Sequence, residues 1–307
     1  MTVMIKEASL EDKKQVYELW KASYPSQNQN YLTYYFKTLF DQGTCLLQEQ
    51  DNKVISSIQM NEHVISFGAR KIAIAYLLGV STLPDYRRRG HMRTLMEAAL
   101  DETSHNYLFT FIKAFNPKLY APYGFETVYA HRHFLIKSEE LNKVSCLHTQ
   151  KEATASQLLY AYKRFIVKFD GYYIRDLAYY ERLLEELELK EKRMVVYRDP
   201  VQGVCGYLIY QIIKDEIQVK EAIYQDSISL MRMLKAISEP EREILIEVSE
   251  KEHLEKIFPL AIPKKQGFMM VRVNNYELFN KYFNKQVKNA REAFEILKKP
   301  LWLHEYY

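Results

Sequence analysis

The stretch GVSTLPDYRRRGHMRTLMEAAL, residues 79–100, decides how the chain reads. An apolar run, IAIAYLLGV (72–80), leads into it, and Met92, Leu95, Met96, Ala99 and Leu100 then recur on one face of a helix. Between them stand Arg87, Arg88, Arg89 and Gly90. Cations stabilise a helix at its C-terminus, so three arginines at the start of one oppose the helix dipole. The unpaired backbone N–H groups there make a ready anion site. Gly90 removes a Cβ from the path of an approaching ligand, and arginine forks suit phosphate. An anion bound at this turn resolves the mismatch. A solvated basic turn is the plain alternative.

Outward from the turn, the pattern gives the fold class. MIKEASLEDKKQVYELWKASYP reads as a short strand and then a helix, with Ser9 as N-cap candidate and Asp12 three residues on. Residues 27–40 read as a second helix. TCLLQEQ, DNKVISSIQMNEHVISF and RKIAIAYLLGVST read as three strands divided by turns at EQDNK and FGARK. After the helix come a strand (107–116), a short helix or turn in PKLYAPYG, and a strand in FETVYAHRHFLIK. Three consecutive strands imply an antiparallel meander, and the strand–helix–strand unit adds a parallel pair through a right-handed crossover. The expected class is α/β, an α+β mixed sheet.

A boundary falls at 137–150. Beyond it the order strand–strand–strand–helix–strand returns: RMVVYRD, VCGYLIYQI, IQVKEAIY, DSISLMRMLKAIS, REILIEVS. KVISSIQM (53–60) is weakly echoed by GVCGYLIY (203–210). This second copy has no Arg/Gly cluster before its helix; Asp226 stands there as an ordinary N-cap. The expected organisation is therefore 1–140, 150–275 and a C-terminal helix and tail, 276–307.

Composition narrows the function classes. With 307 residues and 48% hydrophobic content the chain can bury two cores. Net charge is only +4, and YRRRGHMR is a short local run, so nucleic-acid binding is not expected. The opening residues lack a signal-like apolar core, and nine apolar residues fall short of the about 20 that cross a membrane. A soluble, cytoplasmic protein without a membrane partner is the expectation. Cys45, Cys146 and Cys205 are isolated, with no C-x-x-C or His/Cys cluster, so neither a disulfide frame nor a metal centre is read.

The segment 79–100 resembles motif A of the GCN5-related N-acetyltransferases (GNAT), with Arg87, Gly90 and Met92 at the three positions of the family's pyrophosphate loop. NPKLYAPYGFETV (116–128) resembles motif B, matched by Tyr120, Gly124 and Phe125. Met92 departs from the usual small residue and, in RRRGHMR, resembles the enhanced-intracellular-survival (Eis-type) branch. That branch pairs a catalytic domain with a degenerate copy of the same fold and a sterol-carrier-like domain. The resemblance covers about 1–285, and the tail is too short for a full sterol-carrier-like domain.

The resemblance implies tandem GNAT folds, an N-terminal catalytic copy followed by a degenerate one, and acetyl-CoA as cosubstrate. It places Val80, Ser81 and Thr82 on the strand edge that pairs with pantetheine. Arg87, Arg88, Arg89, Gly90, His91, Met92 and Arg93 fall at the pyrophosphate, and Phe115 and Asn116 where two strands part. Tyr120 takes the place of the general acid. Asn116 equally reads as the cap before Pro117. The C-terminal carboxylate acts as base in full-length relatives, which points here to Tyr307 or Glu305. Glu62, His63, His131 and His133 are further base candidates. Tyr24, Tyr31, Tyr34 and Tyr35 form either an aromatic rim for a cationic amine or ordinary packing. The expected activity is acetyl transfer to a small-molecule or peptide amine, with homo-oligomer formation left open. The alternative is a CoA-binding or sensing module that kept the fold and lost turnover.

Overall fold

The computed structural model describes residues 3–305. In chain order the elements are β1 (Met4–Glu7), α1 (Lys13–Ser23), α2 (Gln29–Thr38), β2 (Thr44–Gln50), β3 (Lys53–Phe67), β4 (Arg70–Thr82), α3 (His91–Asn106), β5 (Phe109–Ile112) and β6 (Glu126–Ile136). There follow β7 (Thr149–Gln150), α4 (Ala155–Phe165), β8 (Gly171–Tyr173), α5 (Leu177–Leu189), β9 (Arg193–Asp199), β10 (Gly203–Ile213), β11 (Glu216–Ile223), α6 (Ser227–Ile237) and β12 (Glu243–Ser249). The last elements are β13 (Lys264–Val273), α7 (Tyr276–Phe283), α8 (Ala290–Glu295) and β14 (Leu301–Trp302).

The chain forms two compact units that are discontinuous in sequence. The described part of the first joins the residues up to Val128 to Met269–Ile296; the second joins Tyr129–Phe268 to Leu297–Glu305. The units are discontinuous in sequence because β6 and β13 are each divided between them, β6 after Val128 and β13 after Phe268.

In the first unit the strand order is β1-β2-β3-β4-β5-β13. β2, β3 and β4 form the antiparallel meander, β4 and β5 are parallel, and β13 closes antiparallel on β5. α1 and α2 bury Val16, Leu19, Trp20, Tyr31, Leu32, Tyr35 and Phe36 in one cluster. α3 buries Leu95, Met96, Ala99 and Leu100 against Ile58, Leu77 and Ile112 in another. Tyr31 and Tyr35 are thus core residues, and the aromatic-rim reading fails for them.

The second unit repeats the plan in the order β7-β9-β10-β11-β12-β6, with β11 and β12 parallel and α6 crossing between them. Its core runs from Phe134 through α4, α6 and β9–β12 to Trp302. Local readings shift at the ends. α1 begins after Asp12, whose carboxylate accepts the Ser9 N–H and hydroxyl at 2.9 and 2.8 Å. The strand over 107–116 is only Phe109–Ile112. The C-terminal stretch holds two short helices and β14 instead of one helix and a short tail. Among the described residues no helix is long and apolar enough to cross a membrane.

Candidate active site

β4 is paired to β5 only from Ala75 to Leu77, opposite Thr110–Ile112. It then runs on alone on that side to Thr82, so the two strands part and leave a notch. On its other side, Ser57 pairs with Ser81 and Gln59 with Leu78, which leaves Gly79 and Val80 facing Ile58 alone. This is a β-bulge, a device that re-aims backbone groups out of the ladder. Gly79 has φ +59°, and a Cβ there would lie 1.8 Å from the Trp20 ring. Only glycine fits both the conformation and the space.

The bulge is pinned from below. The Trp20 indole donates to Ser57 Oγ at 3.0 Å, and Ser57 and Ser81 hydroxyls bond at 2.9 Å. Ser56 Oγ donates to the Ser81 carbonyl at 2.7 Å. The Tyr24 hydroxyl donates to the Val80 carbonyl at 2.7 Å. Burial raises the Tyr24 phenol; neighbouring Tyr120 raises it further and Arg87 lowers it.

After β4 the chain turns through Pro84–Tyr86, and Arg87 Nε donates back to the Thr82 carbonyl at 3.1 Å. Arg88 and Gly90 both take left-handed backbone, φ +62° and +89°. Nothing lies within 4 Å of where a Gly90 Cβ would stand, so this glycine serves conformation rather than close packing. α3 then begins with neither an acidic residue in its first turn nor a side-chain cap. Its N-terminal N–H groups face an open cleft of about 840 Å³. Arg87, Arg88, Arg93 and Lys118 put four cations on its lining, against Glu97 alone.

Of the residues expected at the site, Thr82, Arg87, Arg88, Gly90, His91, Met92 and Arg93 line the cleft together. Val80 lies in the bulge and Ser81 next to it, paired with Ser57; neither lines the cleft. Arg89 lies over the Tyr86 ring, 5.6 Å from its centroid. Asn116 caps its turn by accepting the Lys118 N–H at 3.2 Å, and Phe115 is fully exposed; neither lines the cleft. Tyr120 is half-buried against the cluster around Met96 and Phe125, and burial pushes its phenol up. Tyr86, Glu97, Lys118, Leu119, Pro122 and Tyr123 complete the lining and were not read from sequence. Lys118 sits inside motif B and could have been found there, since a cation beside an arginine-rich anion site extends it.

Several base candidates lie elsewhere. Glu305 is buried in the second unit, where Tyr179 donates to its carboxylate at 2.9 Å. His131 packs there as well, stacked on Phe268 at 3.9 Å, and beside it Lys220 donates to Glu247 at 2.5 Å. Glu62 accepts the Tyr107 hydroxyl at 2.9 Å, at the C-terminal end of α3. A helix of 16 residues puts that about 24 Å from the cleft end. Tyr307 lies outside the described residues. Cys45 is buried, and burial pushes its thiol up to about 12, so it is no nucleophile.

The family model for the acetyltransferase (GNAT) domain matches residues 4–128. This segment is a GNAT acetyltransferase domain. It spans the meander, the Arg/Gly turn, α3 and both motif regions. Among curated proteins no sequence match was found. Solved structures resemble nearly the whole chain. A protein from Enterococcus faecalis V583, described as a probable N-acyltransferase, aligns with TM-score 0.77 at 17% identity over 90% of this chain and 73% of its own. Eis1 from Mycobacterium abscessus aligns with TM-score 0.69 at 13% identity over 91% and 75%. A tandem GNAT protein from the clavulanic acid biosynthesis pathway aligns with TM-score 0.56 at 11% identity over 89% and 99%. These likenesses establish the fold across both units: a mixed open sheet carrying the GNAT arrangement twice. The GNAT domain assigns acyl transfer as the chemistry class of the first unit.

Proposed function

We propose that the first unit transfers an acetyl group from acetyl-CoA to a primary amine. The observation that carries this reading is the uncapped start of α3, ringed by four cations, directly beyond a strand notch and its bulge. The residues fit such a donor. Arg87, Arg88, Arg93, Lys118 and the first N–H groups of α3 match a pyrophosphate. The unpaired edge of β4 from Leu78 to Thr82 matches an extended chain with amide groups. When bound, the donor supplies a thioester carbonyl and a thiolate leaving group.

The chain's own groups do the rest. The bulge at Gly79–Val80 aims a backbone N–H at the notch, where it stabilises charge on the thioester oxygen as a neutral amine attacks. Tyr120, kept protonated by burial, donates its proton to the departing sulfur. An ordinary phenol has a pKa near 10 and a thiol near 8.5, so the transfer depends on preorganisation. In this scheme the Tyr307 carboxylate is the base that takes the amine's proton.

A thiol-release assay over aminoglycoside, polyamine, peptide and lysine acceptors tests the proposal. Tyr120→Phe should lower kcat by about 100-fold or more while the KM for acetyl-CoA barely moves. Arg88→Ala should raise that KM; an unchanged value would remove the pyrophosphate assignment. Deleting residues 306–307 should cut turnover far more than donor binding. Acetyl-CoA binding without thiol release on any amine would favour the sensing module instead.

A further inference from the structure

The second unit has the same notch as the first, and it is filled. β11 pairs with β12 from Glu216 to Val219, opposite Glu243–Ile246, and the strands then part. The space beyond Val219 holds the chain's own residues Leu301–Glu305. Ser249 Oγ donates to the Leu301 carbonyl at 3.0 Å. The His304 ring bonds the Lys220 carbonyl through Nε2 at 2.6 Å. Lys220 is the first residue past the paired stretch, the position that Leu78 holds on β4. Trp302, Leu303, His304 and Glu305 are all buried, and β14 adds parallel to β8.

Recognition at this seat is specific. Arg175 forms a bidentate pair with Glu221 at 2.9 Å on both nitrogens. It also donates to the His304 carbonyl at 2.9 Å and reaches Glu305 at 3.4 Å. Its guanidinium lies over the Trp302 ring, 5.1 Å from the centroid. Trp302 and His304 stack at 4.9 Å, and His304 stacks on His131 at 4.7 Å. The anion end of the second fold is closed as well. Asp226 and Ser229 make a complete capping box at the start of α6, where α3 in the first unit has none.

We infer that the second unit is a peptide-binding module. Its ligand is the chain's own Trp-Leu-His-Glu segment, and Arg175 reads the carboxylate at position 305. A fold built around a notch for an extended, amide-bearing chain has exchanged a nucleotide-bearing ligand for a backbone, and its helix N-terminus has exchanged an external anion for Asp226. The inference stands whether or not the first unit transfers acetyl groups.

The chain has two tryptophans, so Trp20→Phe leaves Trp302 as a single reporter in the full-length protein. Its emission should be blue-shifted and poorly quenched by acrylamide. Adding Glu305→Ala should raise the quenching constant several-fold with the far-ultraviolet circular dichroism unchanged. A labelled synthetic peptide of residues 299–307 should then bind the Glu305→Ala chain and be displaced by the unlabelled peptide, but not by its Glu→Ala form. If Glu305→Ala fails to fold, Glu305→Gln, which keeps a partner for Tyr179, takes its place with the same expectations. Trp302 staying shielded in the folded variant, or a peptide that gains no site, would overturn the inference.

Discussion

Two glycines beside the cleft share a left-handed backbone and differ in what surrounds them. Gly79 has a ring where its Cβ would go; Gly90 has open space. Left-handed backbone costs a non-glycine residue about 1–2 kcal/mol. Gly90→Ala should lose about that much. Gly79→Ala must also displace Trp20 and its bond to Ser57, so its loss should reach about 3 kcal/mol or more. Urea unfolding of the two variants measures the difference, and equal midpoints would contradict the packing around the bulge. Sequence exposed Gly90 because arginines flank it. It did not expose Gly79, whose partner Trp20 lies 59 positions away on another element. The same limit hid Lys118, Leu119, Pro122 and Tyr123, which reach the cleft only through the folding of two short turns.

The contrast between α3 and α6 belongs to whole elements. Both cross between parallel strands, and both were legible from apolar spacing, because the face that packs on a sheet repeats with the helix period. Their N-termini diverge. α6 satisfies its first N–H groups internally, with Asp226 accepting the Ser229 N–H at 2.8 Å; α3 leaves its own to the cleft. Asp226→Ala should therefore destabilise the chain by about 1 kcal/mol, the usual cost of a lost N-cap, while thiol release stays as it was. A change in turnover at unchanged stability would mean that α6 has a role in transfer. The missing Arg/Gly cluster in the second copy was visible in sequence. The segment that fills its notch was not, since LWLHE carries no periodicity and its partners Arg175, Lys220 and Ser249 are 52 to 130 positions distant.

For the whole molecule, the buried segment makes stability depend on pH. His304 is pushed well below its ordinary value by burial first and by His131 next; Glu247 and the Lys220 carbonyl act the other way. His133 is also lowered by burial. His304 stays neutral in the folded chain yet takes a proton near pH 6.5 once unfolded, and the half-buried His133 follows the same direction more weakly. The unfolded state then binds more protons, so stability is full above about pH 6.5 and falls as pH drops below it, by up to about 1.4 kcal/mol per pH unit for His304 and by less for the more exposed His133, which solvent screens. Glu305 and Glu252 oppose this: burial raises both, so acidification relieves them and the net slope is shallower than two histidines alone would give. Arg175 keeps its charge across the window and only sets its level. Thermal midpoints should fall between pH 7.5 and 5.5 in the native chain and fall less in His304→Gln, which can still donate to the Lys220 carbonyl without titrating. Parallel curves for the two proteins would mean that His304 already carries its proton in the fold, contrary to its burial among Trp302, His131 and Phe268.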